Sequence, residues 1–423
     1  MFIYGKSVIF LKLFREWRQF KVRHSAVHAP HIVVGITSPQ TCLLLGGRLR
    51  ALREAGFRVT LVASPGEMLD HIGKSEGVET VGIPMVRRMA PVADFVSLVR
   101  LWFLLMRIRP DVVEFSTPKA GLLGMLAAVL AGVPRRIYIL RGLKLESATG
   151  WRRRILLAAE RLAAVCAQTV VCVSPSLRMK AFDLGLAPAD KLQMLGSGSS
   201  KGVDIEHFHP GKSDVRKRFG VPTNANVVGF VGRLTRDKGI PALIEAFDRI
   251  LLFVPHSYLL LVGWFDEADD ALDSRIRERI TRHPRIVCTG FVVDTAPYYG
   301  AMDLFVLPTL REGFPNVVLE ASASGIPVIT TLSTGACDSV VGGETGILVP
   351  GDPGSLSEAI VKLLREPDKR ARMGSAGRAW VLEHFTDQRL FGLTTSFYKS
   401  LLRPGAAIIP REEPAMDLAV RSQ

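Results

Sequence analysis

The sequence predicts an α/β protein of two parallel-sheet domains facing a cleft, and three observations carry that reading. Short, near-continuous apolar strands alternate with helical segments, as in sheets covered on both faces. The alternation runs through twice, once from His31 and again from Val227. Between the two runs a glycine- and serine-rich stretch, Gly196–Gly202, breaks the pattern where a domain boundary belongs. A length of 423 residues suits two or three domains.

In the first run, strands are expected at His31–Thr37, Phe57–Ala63, Val112–Ser116, Arg136–Leu140 and Thr169–Val173. The helices between them are expected at Leu43–Gly56, which ends on a C-terminal glycine, near Ser97–Arg109, at Ala120–Ala131 and at Trp151–Ala167. In the second run, strands are expected at Val227–Val231, Tyr258–Val262, Arg285–Thr289, Leu304–Leu307, Pro327–Thr330 and Gly346–Val349. Its helices are expected at Ala242–Leu252, Ala271–Thr281, Asn316–Ser324 and Ser355–Arg365, with a last one at Phe391–Leu402 and a loose tail after it. In open sheets of this kind ligands bind outside the carboxyl ends of the strands, so both sheets should present those ends to the cleft.

Composition narrows the function. Hydrophobic residues make up 48 %, enough for a large core and too many for a disordered chain. The net charge is +14 and is unevenly placed. Residues 1–200 hold 28 Lys and Arg against 13 Asp and Glu, whereas residues 201–423 hold 26 against 27. A basic first half points to an anionic partner: nucleic acid, anionic lipid or a phosphorylated substrate. Nucleic acid is disfavoured because no base-stacking aromatic set accompanies the basic clusters. The five cysteines, Cys42, Cys166, Cys172, Cys288 and Cys337, form no CxxC pair, which fits a reducing compartment. No apolar run reaches the ~18 residues of a membrane span, and the N-terminus lacks a secretory cleavage pattern. Two readings stand for residues 1–28: a basic amphipathic helix lying in a membrane interface, with Phe10, Leu13, Phe14, Trp17 and Phe20 on one face, or a tail packed on the domain. The placement expected is cytoplasmic, peripheral to the inner membrane face.

Two segments carry chemistry. Gly232-Arg233-Leu234-Thr235-Arg236-Asp237-Lys238-Gly239 follows a strand and precedes a helix, so its free N–H groups and the helix dipole favour an anion. Arg233 and Lys238 stand five apart across that loop, one a fork and one a point charge for two adjacent phosphates. The segment lacks the GxxxxGK[ST] pattern of a P-loop. The second segment is Arg311-Glu312-Gly313-Phe314-Pro315-Asn316-Val317-Val318-Leu319-Glu320. Its loop puts Glu312 at a cleft edge, and Pro315 suits a helix start that carries Glu320 a turn or more inward. Carboxylates accept sugar hydroxyls well, yet the spacing by itself also fits an acid in a helix's first turns. Gly263 and Phe291 lie at strand ends where a base could lodge or an aromatic could simply pack, and Tyr298 and Tyr299 read as packing residues. Asp269-Asp270 reads as a solvated pair and the histidines show no metal-ligand spacing. Ser174-Pro175-Ser176 reads as a helix cap.

Together, VGRLTRDKG and REGFPNVVLEASASGIPVITT resemble the family 4 retaining glycosyltransferases, whose GT-B fold pairs two Rossmann-like domains across a cleft. Thr37-Ser38-Pro39, Pro118-Lys119-Ala120-Gly121 and Leu140-Arg141-Gly142 resemble the family's capsule and exopolysaccharide subgroup. The resemblance spans about residues 30–400 and implies an acceptor domain at 29–200, a donor domain at 201–390, a crossing helix at about 391–402 and a tail at 403–423. It implies that Arg233 and Lys238 hold the donor diphosphate, that Glu320 binds the ribose and that Glu312 contacts the transferred sugar. Gly313, Phe314, Asn316 and Val317 would close round sugar and phosphate. Ser38, Lys119 and Arg141 are the acceptor-side candidates; many relatives have histidine in place of Arg141, and arginine cannot act as a base at neutral pH. The implied donor is a nucleotide-diphosphate sugar, a uridine one by resemblance, and the implied acceptor a polyprenyl-diphosphate-linked saccharide at an anionic membrane surface. No cofactor or metal is expected. A GT-B epimerase or phosphorylase and a non-catalytic sugar-nucleotide-binding partner are the rivals. A dinucleotide oxidoreductase lacks its GxGxxG here.

Overall fold

The computed structural model describes residues 29–38, 45–86, 88–267 and 270–403. The extension at 1–28, the start of the helix expected from Leu43, Cys42, Arg87, Asp269 and the tail from 404 lie outside the described residues.

The first half runs β1 (His31–Gly35), α1 (Arg48–Glu54), β2 (Arg58–Ala63), α2 (Glu67–Glu76), β3 (Glu79–Gly82), α3 (Pro91–Ile108) and β4 (Val112–Ser116). It continues with α4 (Pro118–Leu130), β5 (Arg135–Leu140), α5 (Gly150–Cys166), β6 (Thr169–Cys172), α6 (Pro175–Asp183) and β7 (Leu192–Gln193). The second half runs α7 (Val215–Arg218), β8 (Asn226–Val231), α8 (Ile240–Phe253), β9 (Ser257–Val262), α9 (Ser274–Arg282), β10 (Ile286–Cys288) and α10 (Ala296–Tyr299). After these come β11 (Leu304–Leu307), α11 (Asn316–Ala323), β12 (Val328–Thr331), β13 (Gly346–Val349), α12 (Pro353–Arg365), α13 (Pro367–His384) and α14 (Asp387–Leu402).

Two parallel sheets result, in the orders β3-β2-β1-β4-β5-β6-β7 and β10-β9-β8-β11-β12-β13. In each, strand order reverses beside the first strand, at β1/β4 and at β8/β11. Those two switch points open the crevice at which such sheets bind ligands. The strands are apolar on both faces, and β1, β4 and β11 are buried throughout.

Helix α4 shows how composition sets packing. It is apolar nearly all round, and its glycines let the sheet's aromatic rings come close. A Cβ on Gly121 would stand 2.3 Å from the Tyr138 ring, and one on Gly124 would stand 2.2 Å from that of Phe115.

Three differences from the sequence reading have local causes. Helix α3 begins at Pro91, six residues before the expected Ser97, because proline at the first helical position loses nothing there. Strand β3 and helix α2 were not expected: β3 is an edge strand with no buried residue, and α2 is short, with Leu69 and Ile72 its buried apolar side chains. The return to the first domain comes earlier than 391. Val381 and Phe385 lie in the apolar cluster that joins the two domains, and Val203 of the linker bridges the chain at Thr386. Linker and return therefore run side by side: Val203 N–H donates to Phe385 O at 2.9 Å, and Asp387 N–H donates to Val203 O at 3.0 Å. Helix α14 then packs on α1.

Beneath the cleft, Tyr138 donates its hydroxyl to Glu160 at 2.6 Å. Burial pushes the Glu160 carboxyl up to about 7, against a partial lowering by the Tyr138 hydrogen bond. The folded protein thus holds a proton that the unfolded chain releases at its ordinary carboxylate value. Stability from this group is full in acid and is lost as pH rises toward 7, by on the order of 3 kcal/mol. Urea unfolding at pH 5 and pH 7.5 is expected to show this fall in the native protein and a much smaller one in Glu160→Gln.

A cleft at the two switch points

On the first-domain side, Thr37 and Ser38 follow β1, Thr117 follows β4 and Arg141 follows β5. The Thr37 and Thr117 hydroxyls lie 2.6 Å apart, and Thr37 Oγ1 also accepts the Ala120 N–H at 3.1 Å. Thr117 borders the cleft with a φ of 70°, a strained value for a non-glycine residue. The sequence reading passed over Thr117, and a backbone angle leaves no mark in composition. Ser38 is buried beside it. Lys119 turns aside: its ammonium meets Asp94 of α3 at 2.6 Å and the Arg88 carbonyl at 2.5 Å, so its charge is engaged behind the rim.

On the second-domain side, Gly239 holds the start of α8 with a φ of 73°, and a Cβ there would lie 1.9 Å from the Pro308 carbonyl oxygen. This contact presses the loop after β8 against the loop after β11. Lys238 and Glu312 consequently meet as an ion pair, each mostly buried. Arg233 reaches Asp266 at 2.8 Å and Asp237 at 3.6 Å. Burial opposes the Arg233 charge, but the Asp266 hydrogen bond and the fields of Asp237 and Glu312 hold its pKa above the usual arginine value. Arg311 joins them, 3.1 Å from Asp237, and its Nε donates to Ser147 across the cleft at 2.9 Å. Asp237, Asp266 and Arg311 are site residues that sequence reasoning missed, because their partners are brought together only when β8 lies between β9 and β11. The cations are thus balanced by acids rather than standing free, and an incoming diphosphate must compete for them.

The remaining donor-side residues fall into three positions. Glu320 is 8 % exposed and accepts the Tyr299 hydroxyl at 2.9 Å. Burial raises its pKa, against a lowering by Lys201, the Tyr299 hydrogen bond and His207. Tyr299 is a packing residue as expected, and it also orients this carboxylate; its hydroxyl lies 3.2 Å from the Val317 carbonyl as well. Asn316 opens α11; its Oδ1 accepts from Ser199 at 3.2 Å, while its buried Nδ2 has no protein partner. Phe314 corrects the expectation of a residue closing round the sugar. Its ring is buried against Phe385, centroids 5.2 Å apart, in the seam between the domains.

Gly313 lies in the same seam, where a Cβ would stand 2.2 Å from the Arg141 carbonyl oxygen. Gly263 ties the β8 and β9 exits together, its Cβ direction filled by the Gly232 carbonyl at 1.8 Å. Phe291, 55 % exposed, meets Trp264 edge to face at 5.2 Å beside those exits. Ser174 caps α6 by accepting from Leu177 N–H at 3.3 Å.

Arg141 also departs from the acceptor-side expectation. Its backbone borders the cleft, but its three guanidinium nitrogens are buried without a protein partner. Between the domains remains a cleft of about 280 Å³, lined by Arg141, Gly142 and Lys144 on one side and Arg233, Lys238 and Glu312 on the other. Further bonds cross it: Thr334 donates to Glu146 at 2.7 Å and Gly335 N–H to Ser176 at 2.8 Å.

Comparison with known proteins agrees with this geometry. Residues 47–198 match the glycosyl transferase 4-like domain, and residues 225–366 match the glycosyl transferases group 1 family. The chain is 36 % identical to the capsular polysaccharide biosynthesis glycosyltransferase CapM of Staphylococcus aureus, over 87 % of this chain and 96 % of that one. It is 28 % identical to the UDP-Gal:alpha-D-GlcNAc-diphosphoundecaprenol alpha-1,3-galactosyltransferase of Escherichia coli, over 81 % and 89 % of the two chains. Among solved structures, Anabaena HepE in complex with UDP and glucose superposes with a TM-score of 0.70 at 21 % identity, covering 87 % of this chain and 99 % of HepE. With two parallel sheets facing one cleft and both family domains in place, the chain belongs to the family 4, group 1 glycosyltransferases of the GT-B fold and is a hexosyltransferase.

Proposed function

We propose that this enzyme transfers a sugar, with retention, from a uridine diphosphate donor to a polyprenyl-diphosphate-linked saccharide during surface polysaccharide assembly. The observation that supports it most is the gathering of Arg233, Lys238, Arg311 and Glu312 at the β8/β11 switch point, with Glu320 one helix turn and more behind. As the bond from the sugar's anomeric carbon to the diphosphate breaks, negative charge grows on the departing phosphate. Arg233 and Lys238, once the donor diphosphate has drawn them from their acidic partners, and the Asn316 amide stabilise that charge. The acceptor oxygen forms the new bond on the same face, and its proton passes to the departing phosphate oxygen. Glu312 takes sugar hydroxyls once its lysine turns to the diphosphate, and Glu320 takes the ribose. This chemistry needs no metal.

The relatives support the two substrate classes: HepE is seen with UDP, and the Escherichia coli enzyme acts on a diphosphoundecaprenol-linked sugar. The test is nucleotide-diphosphate release from UDP-, GDP- and ADP-sugars, with and without lipid-linked acceptors, in the presence of EDTA. Acceptor-dependent release of UDP, undiminished by EDTA, is expected. Release that ignores the acceptor, or no donor binding, overturns the proposal.

A lipid-linked acceptor requires contact with a membrane, and the first domain has a surface suited to it. Along α3, Val92, Phe95, Val96, Phe103 and Met106 recur at helical spacing and are all exposed, Val92 to 81 %. Helices α3, α4 and α5 lie side by side, and α5 opens on exposed Trp151 with Arg152, Arg153 and Arg154. An apolar stripe on α3 and an arginine cluster on α5, with α4 between them, fit an anionic interface, each cation contributing about 1 kcal/mol near the surface. Among the described residues no helix is long and apolar enough to cross a membrane. Phe95→Asp with Phe103→Asp is expected to weaken binding to anionic vesicles by at least ~10-fold while leaving donor binding intact. Unchanged sedimentation with vesicles would place the membrane contact elsewhere.

A further inference from the structure

Behind the cleft lies a second, smaller cavity of about 30 Å³, where β4, β5 and β6 meet the linker and α14. Its charges do not balance. Arg48 pairs with Glu114 Oε2, and the Tyr398 hydroxyl donates to the same oxygen. Arg141 also reaches into this space, with Nε and both terminal nitrogens buried and unpartnered. The titratable groups acting on Arg141 are Arg48, which opposes its charge, and Glu114 and Tyr398, which favour it. Two guanidinium groups therefore share one carboxylate, an excess of one buried positive charge. Arg141 stays charged at neutral pH: burial and the field of Arg48 lower its pKa only to about 10. Glu114 Oε1 also lacks a partner, so a water between it and Arg141 would satisfy hydrogen bonds. Water leaves the excess charge in place, however, and a buried uncompensated charge costs several kcal/mol.

We propose that this cavity is a binding site for a small inorganic anion, held between Arg141 and Arg48 with Ser200 and Thr394 beside them. Its volume has room for about two water-sized bodies, which suits a halide and excludes a sugar or a nucleotide phosphate. The site joins both chain passages between the domains, since it is lined by Leu195, Ser199 and Ser200 of the linker and by Leu390 and Thr394 of the returning helix. Ser199 also holds Asn316 at the donor side. An anion bound here would stabilise the closed arrangement of the two domains, whichever sugar the enzyme transfers.

The test uses the full chain with chloride and bromide as probes. Melting temperature is measured in sodium chloride and in sodium gluconate at matched ionic strength. Chloride is expected to raise it by roughly 1 °C by about five times its dissociation constant, and gluconate is not. Arg141→Met is expected to lose this difference and Arg141→Lys to keep part of it. Because Arg141→Met is a core substitution, native crystals soaked in bromide supply a variant-free reading, with an anomalous peak expected between Arg48 and Arg141. Equal melting in the two salts, or water alone at that position, overturns the assignment.

Discussion

Lys238→Ala is expected to lower kcat by about 10²–10³-fold, the range for removing one preorganised charge from a developing anion. Lys238 is a mostly buried cation at the switch point, and its partner Glu312 is equally enclosed. Its loss therefore acts twice. The departing diphosphate loses a point charge, and Glu312 is left as an unbalanced carboxylate facing the donor's phosphates. The second effect raises the KM for donor, and the first lowers kcat. Adding Glu312→Gln to Lys238→Ala separates them, because the amide removes the repulsion. Donor KM should recover toward the native value while kcat stays low. Steady-state kinetics of nucleotide release with saturating acceptor measures both. A double variant whose KM stays as high as the single variant's would show that the pair does not hold the donor as described.

Gly313→Ala is expected to reduce kcat/KM by on the order of 10²-fold, with a much smaller change in melting temperature. The reason is geometric. The Cβ would stand 2.2 Å from the Arg141 carbonyl oxygen and 2.5 Å from its carbon. These are backbone atoms of the opposite domain, so no side chain can swing aside. Gly335 presses on the same point, its Cβ direction ending 2.3 Å from the Gly313 carbonyl oxygen. The domains must separate by an ångström or more, which misplaces donor-side groups relative to acceptor-side ones. Each domain keeps its own core, so stability changes little. X-ray scattering is expected to show a larger radius of gyration for the variant than for the native chain. A variant with native dimensions and native kcat/KM would show that the enzyme does not work through this closed arrangement.

The strand-helix alternation was legible because each domain buries its sheet on both faces, leaving runs such as Val227–Val231 almost purely apolar. Arg233, Lys238, Glu312 and Glu320 were legible because glycine and proline mark loops at strand ends, and strand ends are where such sheets bind. Weakly patterned pieces were not. Strand β3 sits at a sheet edge without buried residues, and α13 is largely polar, with its buried Val381 meeting the other domain's core. Side-chain partners were not legible either. Lys119 looked like an acceptor-side cation until its charge was found on Asp94. Phe314 looked like a cleft residue until its ring was found on Phe385.

By itself, then, the amino-acid order determined the two sheets, the boundary near residue 200 and the loops that bear charge, because periodicity and turn chemistry are local. Only the tertiary structure decided which of those charges face one another. Arg233 meets Asp266 across 33 positions, Lys238 meets Glu312 across 74, and Tyr398 returns across 284 to Glu114. Those pairings arise from β8 lying between β9 and β11 and from α14 crossing back to the first domain. A contact between distant segments has no local signature, and its electrostatic consequence exists only once both are enclosed.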